Sequence, residues 1–267
     1  MNDQLADTNR DIRDRQDASN LLQALTGDDL AILARILSRW DGDSNEVLYD
    51  PGDEVDHVYF PCGPSMVSFR VALADGPDVE TVLVGREGAV GGIVSQGRLP
   101  AYARAVVQYP GPFLRAETAA LEAAKHQSAT LRHFFARYAD CLLAQVFQSV
   151  ACNAAHSIEQ RTAKWLLYAV ERTGDDLIAL TQEQLAGMLG VGRTYVNRVI
   201  QSMKARGMLQ TGRGRMRILD RPRLDRIACR CEHDVRRHFE EVLRGVYPGD
   251  RAGPTLDVEL GPQPEPA

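Results

Sequence analysis

The stretch LTQEQLAGMLGVGRTYVNRVIQSMKARG, Leu180 to Gly207, limits what this chain can fold into more than any other. Thr181 and Gln184 stand at capping-box spacing and open a short helix. Leu185, Met188 and Leu189 make its apolar stripe. Ala186 is small where a second helix must cross closely, and Gly190 ends the first helix where a positive φ costs little. Val191 plugs the turn. The next helix sets Val196, Val199, Ile200 and Met203 on one face at i, i+3, i+4 and i+7. Thr194, Asn197, Arg198 and Gln201 take the opposite face at the same offsets. Two crossed helices are predicted, the second gripped from behind and polar in front.

A helix held in this way, with Arg, Thr, Asn and Gln outward, suits the major groove of DNA. The overall charge of −5 argues against such a partner, but its distribution does not. Residues 153–247 hold 17 Lys and Arg against 11 Asp and Glu, whereas the remainder holds 14 against 25. Within 192–217 there are seven basic residues and no acid. Charge alone is equally consistent with a solvated basic face; the geometry of the window favours a polyanion.

Each outward side chain has a chemical use. Arg198 can donate two hydrogen bonds to guanine O6 and N7, and Asn197 can read adenine or bind a phosphate. Arg193 can reach a phosphate or a guanine, and Thr194 a thymine methyl or a phosphate oxygen. Met208–Thr211 and Met216–Leu219 flank Gly212-Arg213-Gly214-Arg215, a pattern for two short strands around a basic tip, or wing. Thr181, Gln182, Gln201, Lys204, Arg213 and Arg215 are the expected contacts to the DNA backbone. Two other uses of such a motif stay open: a packing unit in a helical domain, or a ligand-binding or scaffolding protein whose helix-turn-helix contacts protein. An enzyme is not expected, because no Ser/His/Asp set, HExxH or Walker-type loop is present.

Five segments divide the chain. Residues 1–20 read as a flexible polar lead, too charged for a secretory signal. Leu21 to Trp40 has helical spacing broken at Gly27, so two short helices are predicted. From Asn45 to about Leu114, alternating runs such as Val67, Phe69, Val71 and Leu73 are punctuated by Gly and Pro, which predicts a β-sandwich or jelly-roll-like β-roll. Residues 21–127 therefore form an α+β, effector-type domain. A helix follows from Ser128, its N-cap, to Cys152. Leu131, Phe135, Tyr138, Leu142 and Gln145 recur along it in steps of four and three, a seam for a second copy or for the β-roll. Residues 153–247 form the winged helix-turn-helix domain, opened by a capping box at Ser157 and Gln160. Residues 248–267, rich in Pro and Gly, read as a disordered tail. No apolar run approaches the ~18–20 residues of a spanning helix, so no membrane partner is expected.

This organisation resembles the Crp/Fnr superfamily of bacterial transcription regulators over about residues 20–247. YDPGDEVDHVYFPCGPSMVS (49–68), VGREGAVGGIV (84–94), RAVVQYPG (104–111), SIEQRTAKWLL (157–167) and segment 180–220 carry the resemblance. It implies a cytoplasmic homodimer joined by long helices, binding a two-fold-symmetric site in double-stranded DNA and contacting RNA polymerase. The base-reading positions carried over are Arg193, Thr194, Asn197 and Arg198. Many members have a glutamate at the position of Thr194, and its absence implies a different half-site.

The sensor departs from the pattern. Cyclic-nucleotide-binding relatives use a Gly-Glu-hydrophobic cassette for the ribose and an Arg for the phosphate. Here Gly91 and Gly92 stand in the cassette and Arg104 at or one place beyond the phosphate position, so the ribose loses its carboxylate and cyclic AMP is disfavoured. No effector can be named from the residues. No cysteine precedes Cys62, so the N-terminal iron–sulfur ligands of oxygen-sensing relatives are missing. Five scattered cysteines without CxxC fit a reducing compartment. Cys229-x-Cys231 reads as two small residues, not a metal site, and His57, His126, His133 and His156 as structural or exposed. No cofactor and no metal are expected. Cys152 is a minor candidate for a redox switch.

Overall fold

The computed structural model describes residues 18–247 apart from 75–77, 94–98 and 174; the readings of a lead over 1–17 and a tail over 248–267 lie outside these residues. The α+β architecture expected from the sequence is the one observed. Helices α1 (Asn20–Gln23) and α2 (Gly27–Ala34) precede seven strands. These are β1 (Ser38–Gly42), β2 (Val47–Tyr49), β3 (His57–Pro61), β4 (Met66–Val71), β5 (Val79–Val84), β6 (Arg104–Tyr109) and β7 (Gly111–Glu117). They pair antiparallel in two sheets, ordered β1-β7-β3 and β2-β6-β4-β5. Val67, Val82, Val84, Val107 and Phe113 fill the space between the sheets.

Three sequence expectations need correction here. Ala18 and Ser19, read as part of a polar lead over 1–20, are fully buried. The helical spacing through Trp40 ends at Ala34, because Ser38–Gly42 pairs with β7 and Trp40 packs on Tyr59 and Phe113, ring centroids 5.2 and 5.3 Å away. The third concerns the long helix.

Helix α3 (Thr118–Gln127) closes the roll, and α4 (Ala129–Ala155) runs 27 residues, three past the predicted end. Ser128 caps α4 as expected, its hydroxyl accepting from the Leu131 amide at 3.1 Å. Of the two uses left open for the seam, a second copy or the β-roll, it faces the chain's own core. Leu131, Phe135 and Tyr138 are buried, Leu142 packs against the roll, and Gln145 Nε2 donates to the Leu83 carbonyl at 2.8 Å. The helix is apolar on two faces, and the spacing picked out the inner one. The outer face carries Leu143, Phe147 and Val150, exposed by 50, 64 and 65%, at the same alternation of steps.

Tyr138 fastens α4 to the β-roll. Its hydroxyl accepts from the Ala89 amide at 2.8 Å and donates to the Ala89 carbonyl at 2.9 Å. Phenylalanine at this position would leave two buried backbone groups unpaired. Tyr138→Phe is therefore expected to lower stability by about 1–3 kcal/mol, read as a drop in the urea midpoint. An unchanged midpoint would mean that the pair is not a structural tie.

The C-terminal part contains α5 (Ile158–Thr173), β8 (Leu177–Ile178), α6 (Gln182–Leu189), α7 (Arg193–Ala205), β9 (Leu209–Gly212), β10 (Arg215–Ile218), α8 (Arg221–Ile227) and α9 (Cys231–Arg244). The wing strands are joined by β8 in the order β8-β10-β9. Met66, Leu83 and Tyr109 of the roll belong to the same apolar cluster as Leu185, Val196 and Ile200, so the C-terminal part sits directly on the outer face of a sheet. Helix α9 turns back along α4 and places Phe239 in the N-terminal core, with Val246 just beyond it. Arg137 Nη1 donates to the Val242 carbonyl at 2.8 Å, and the Tyr247 hydroxyl to Asp29 Oδ2 at 3.0 Å.

Candidate nucleic-acid interface

The crossed helices form as their residues predict. Thr181 Oγ1 accepts from the Gln184 amide at 3.1 Å while Gln184 Oε1 accepts from the Thr181 amide at 2.9 Å. Gly190 ends α6 at φ 64°, a left-handed conformation that glycine adopts without strain. Arg161, buried beneath, donates to the Leu189 carbonyl at 2.8 Å and so satisfies one of the last carbonyls of α6. Val196, Ile200 and Met203 are fully buried and Val199 partly so.

The opposite face of α7 is open. Arg193, Thr194, Asn197, Arg198 and Gln201 are all exposed. Gln201 Nε2 donates to Asn197 Oδ1 at 3.4 Å, which joins these two polar side chains. The Arg198 guanidinium lies over the Tyr195 ring, 5.8 Å from its centroid. Tyr195 is itself 45% exposed on this face and was missed from sequence, although its place three residues before Arg198 is a legible signal. Arg193 meets Glu183 at 3.5 Å; both are exposed, so the pair is weak and a phosphate can replace the carboxylate.

The expected backbone contacts divide. Arg213 and Arg215 are exposed at the wing, where Gly214 turns the chain at φ 71°. Gln182 and Lys204 are half-buried at the edge of the helix pair. Thr181 is exposed at the start of α6, and its hydroxyl also donates to Gln184 Oε1 at 3.0 Å within the helix cap. Arg206, one of the seven basic residues in the window, is bound to Glu159. Its carbonyl accepts from Arg223 at 2.9 Å, which makes it a structural tie.

Among the described residues, Gly91 and Gly92 lie against β3 and α3, and Arg104 is held by carboxylates. Gly91 has φ 124°, and a Cβ there would run into the His57 carbonyl oxygen and lie 2.9 Å from Val58 Cα. It is a packing glycine against β3. Gly92 faces Thr118, with room for a Cβ only 3.0 Å from Cγ2. Arg104, at the start of β6, is paired with Asp50 and, at 3.5 Å, with Asp78, so an incoming phosphate would have to displace carboxylates from it. Their ion pairing raises the arginine further above its usual range. Glu87, by contrast, links the two halves: its Oε1 accepts from the Gly85 amide at 2.9 Å and from the Tyr168 hydroxyl at 3.2 Å. A cavity of about 450 Å³ lies beside it, between Arg86, Gln145, Glu171 and Phe239.

Under the roll, burial pushes the Glu80 carboxyl up to about 7, against the hydrogen bond donated by Ser68 at 2.6 Å and the charge of Arg70. The reading of Cys229 and Cys231 as unrelated small residues is corrected. Both are buried beside Cys152, with His156 completing the group.

Residues 160–227 match the sequence profile of the Crp-like helix-turn-helix domain family. No curated protein sequence matches the chain. Solved structures share its fold at low identity. A CRP-family transcriptional regulator from Thermus thermophilus is 21% identical, with TM-score 0.59 over 72% of this chain and 96% of its own. FixK2 from Bradyrhizobium japonicum is 16% identical, with TM-score 0.58 over 73% and 98%. The c-di-GMP-responsive global regulator CLP of Xanthomonas campestris is 14% identical, with TM-score 0.57 over 72% and 99%.

Proposed function

We propose that this chain, a Crp-like helix-turn-helix on the Crp/Fnr regulator fold, is a transcription regulator that binds double-stranded DNA as a homodimer on a two-fold-symmetric site. One observation carries the reading: α7 is anchored by Val196, Ile200 and Met203 while Arg193, Thr194, Asn197 and Arg198 stand exposed beside a basic wing. Among the described residues no helix is long and apolar enough to cross a membrane. Its action on DNA places it in the cytoplasm, where the resemblance extends to contact with RNA polymerase.

Dimerisation is assigned to the outer stripe of α4, Leu143, Phe147 and Val150, rather than to the inner seam. Two copies joined there would present two copies of α7, which enter successive major grooves when about 34 Å apart. The roll then acts by setting that separation. The occupied state of Arg104 and the absent carboxylate at Gly92 argue for regulation by something other than a cyclic nucleotide.

Selection of bound sequences from a random duplex pool tests the proposal. A palindromic consensus with two equal half-sites is the expected result. Binding without sequence preference, or weak binding that ignores salt, would favour a protein-contacting helix-turn-helix instead. Arg213→Ala serves as the companion measurement. It should weaken consensus and scrambled duplexes alike and reduce the salt slope by about one per subunit, because the wing arginine neutralises a phosphate and reads no base.

A further inference from the structure

Four side chains that the helix-turn-helix does not use converge behind it. Cys152 and His156 lie one turn apart at the end of α4, Cys229 lies on the link between α8 and α9, and Cys231 opens α9. Their donor atoms all fall within 4.8 Å of one another. Cys152 Sγ is 3.6 Å from Cys229 Sγ, and Cys231 Sγ is 3.5 Å from His156 Nδ1. All three cysteines are free thiols, and none is more than 7% exposed.

These separations have a simple geometric meaning. Zinc–sulfur bonds of about 2.3 Å and zinc–nitrogen bonds of about 2.0–2.1 Å at tetrahedral angles put sulfur atoms about 3.8 Å apart, and sulfur and nitrogen about 3.6 Å apart. The Cys152–Cys229 and Cys231–His156 separations match the edge lengths of such a tetrahedron, and the whole group spans no more than 4.8 Å. A disulfide would account for two sulfurs and would leave the third cysteine and the histidine unexplained. An iron–sulfur cluster, with several metal atoms, would hold its outer ligands farther apart.

We propose that Cys152, His156, Cys229 and Cys231 bind a single thiophilic divalent cation, zinc foremost, in a closed tetrahedral site. Three thiolates and one imidazole suit zinc in donor type and number, and four protein ligands leave no open position for a substrate, so the site is structural. The surroundings fit the charge. Three thiolates around a divalent ion carry one net negative charge, and Lys164 Nζ lies 3.6 Å from Cys152 Sγ. Cys231 opens the first turn of α9, where the helix dipole favours a negative sulfur.

The position gives the site its purpose. His156 stands at the joint between α4 and α5, and the other half of the site comes from the point where the chain leaves the winged domain. An ion there would staple the end of the dimer helix to the far side of the recognition module and fix the angle between them. This inference does not depend on DNA binding.

The test uses the full-length protein purified under reducing, anaerobic conditions. About one zinc per chain is expected by elemental analysis. After chelator treatment, added cobalt(II) should give the visible bands of a tetrahedral ion and the near-ultraviolet charge-transfer bands of thiolate ligation. Cys229→Ser and Cys231→Ser should lose both zinc and the cobalt spectrum, whereas Cys62→Ser and Cys141→Ser should keep them. If the ligand variants fail to fold, the cobalt titration of the unaltered protein decides alone. Reduced protein that takes up no cobalt would overturn the proposal. So would metal content that persists unchanged in folded Cys229→Ser, or a Cys152–Cys229 disulfide in place of metal.

Discussion

In the proposed homodimer, Phe147→Asp should give a monomer and lower the affinity for a complete two-half-site duplex by a factor on the order of 10²–10⁴, the avidity lost when two linked contacts become one. Phe147 is 64% exposed between Leu143 and Val150, so the carboxylate leaves the fold of the single chain intact. In a dimer it would be pressed between apolar side chains and lose water without gaining a partner. Light scattering reads the mass and a DNA titration reads the affinity; circular dichroism confirms that the monomer remains folded. A variant that stays dimeric would place the interface elsewhere on the molecule.

Arg198→Ala has the other large expected effect. A bidentate contact to guanine is worth about 1–3 kcal/mol, and a symmetric dimer loses it in both half-sites. The selected consensus should lose its preference at one base pair in each half-site, while the remaining positions keep theirs. Tyr195, whose ring lies under the guanidinium, helps to pre-set the arginine, so Tyr195→Ala should blunt the same preference to a smaller degree. An unchanged consensus in Arg198→Ala would remove that residue from base reading.

The parts of this molecule that sequence made legible are those whose determinants are local. The Thr181–Gln184 cap, the glycine at 190 and the interlocked stripes of α7 lie within 28 consecutive residues, and each acts through the backbone of its own segment. The wing was legible for the same reason, except for β8, a two-residue strand too short to show a period. Trp40 misled because an aromatic at helical spacing serves equally well in a strand packed on Tyr59 and Phe113. The two faces of α4 could not be ranked from spacing, since both are apolar and only the packing of the roll decides which is inner.

Long-range assemblies were harder to see. Cys152 and Cys229 are 77 positions apart, and nothing in either neighbourhood announces the other. The i, i+4 spacing of Cys152 and His156 on a helix was a usable clue, since it places two donors on one face. Helix α9 was also readable after the fact: Val235, Phe239, Val242 and Leu243 recur at helical spacing, and α8 begins with a capping Asp220. Glu80 is the opposite case. Its neighbours alternate as a half-exposed strand should, and elements distant in sequence, from the long helix and the winged domain, cover that face of the sheet.

The return of α9 along α4 has a consequence for how the molecule melts. Phe239 and Val246, contributed by the last described turns, fill a core whose other walls come from the first hundred and fifty residues. Neither end of the polypeptide has a complete interior without the other. Heat or urea should therefore produce one calorimetric transition, with its van't Hoff and calorimetric enthalpies in agreement, rather than the two steps of separable units.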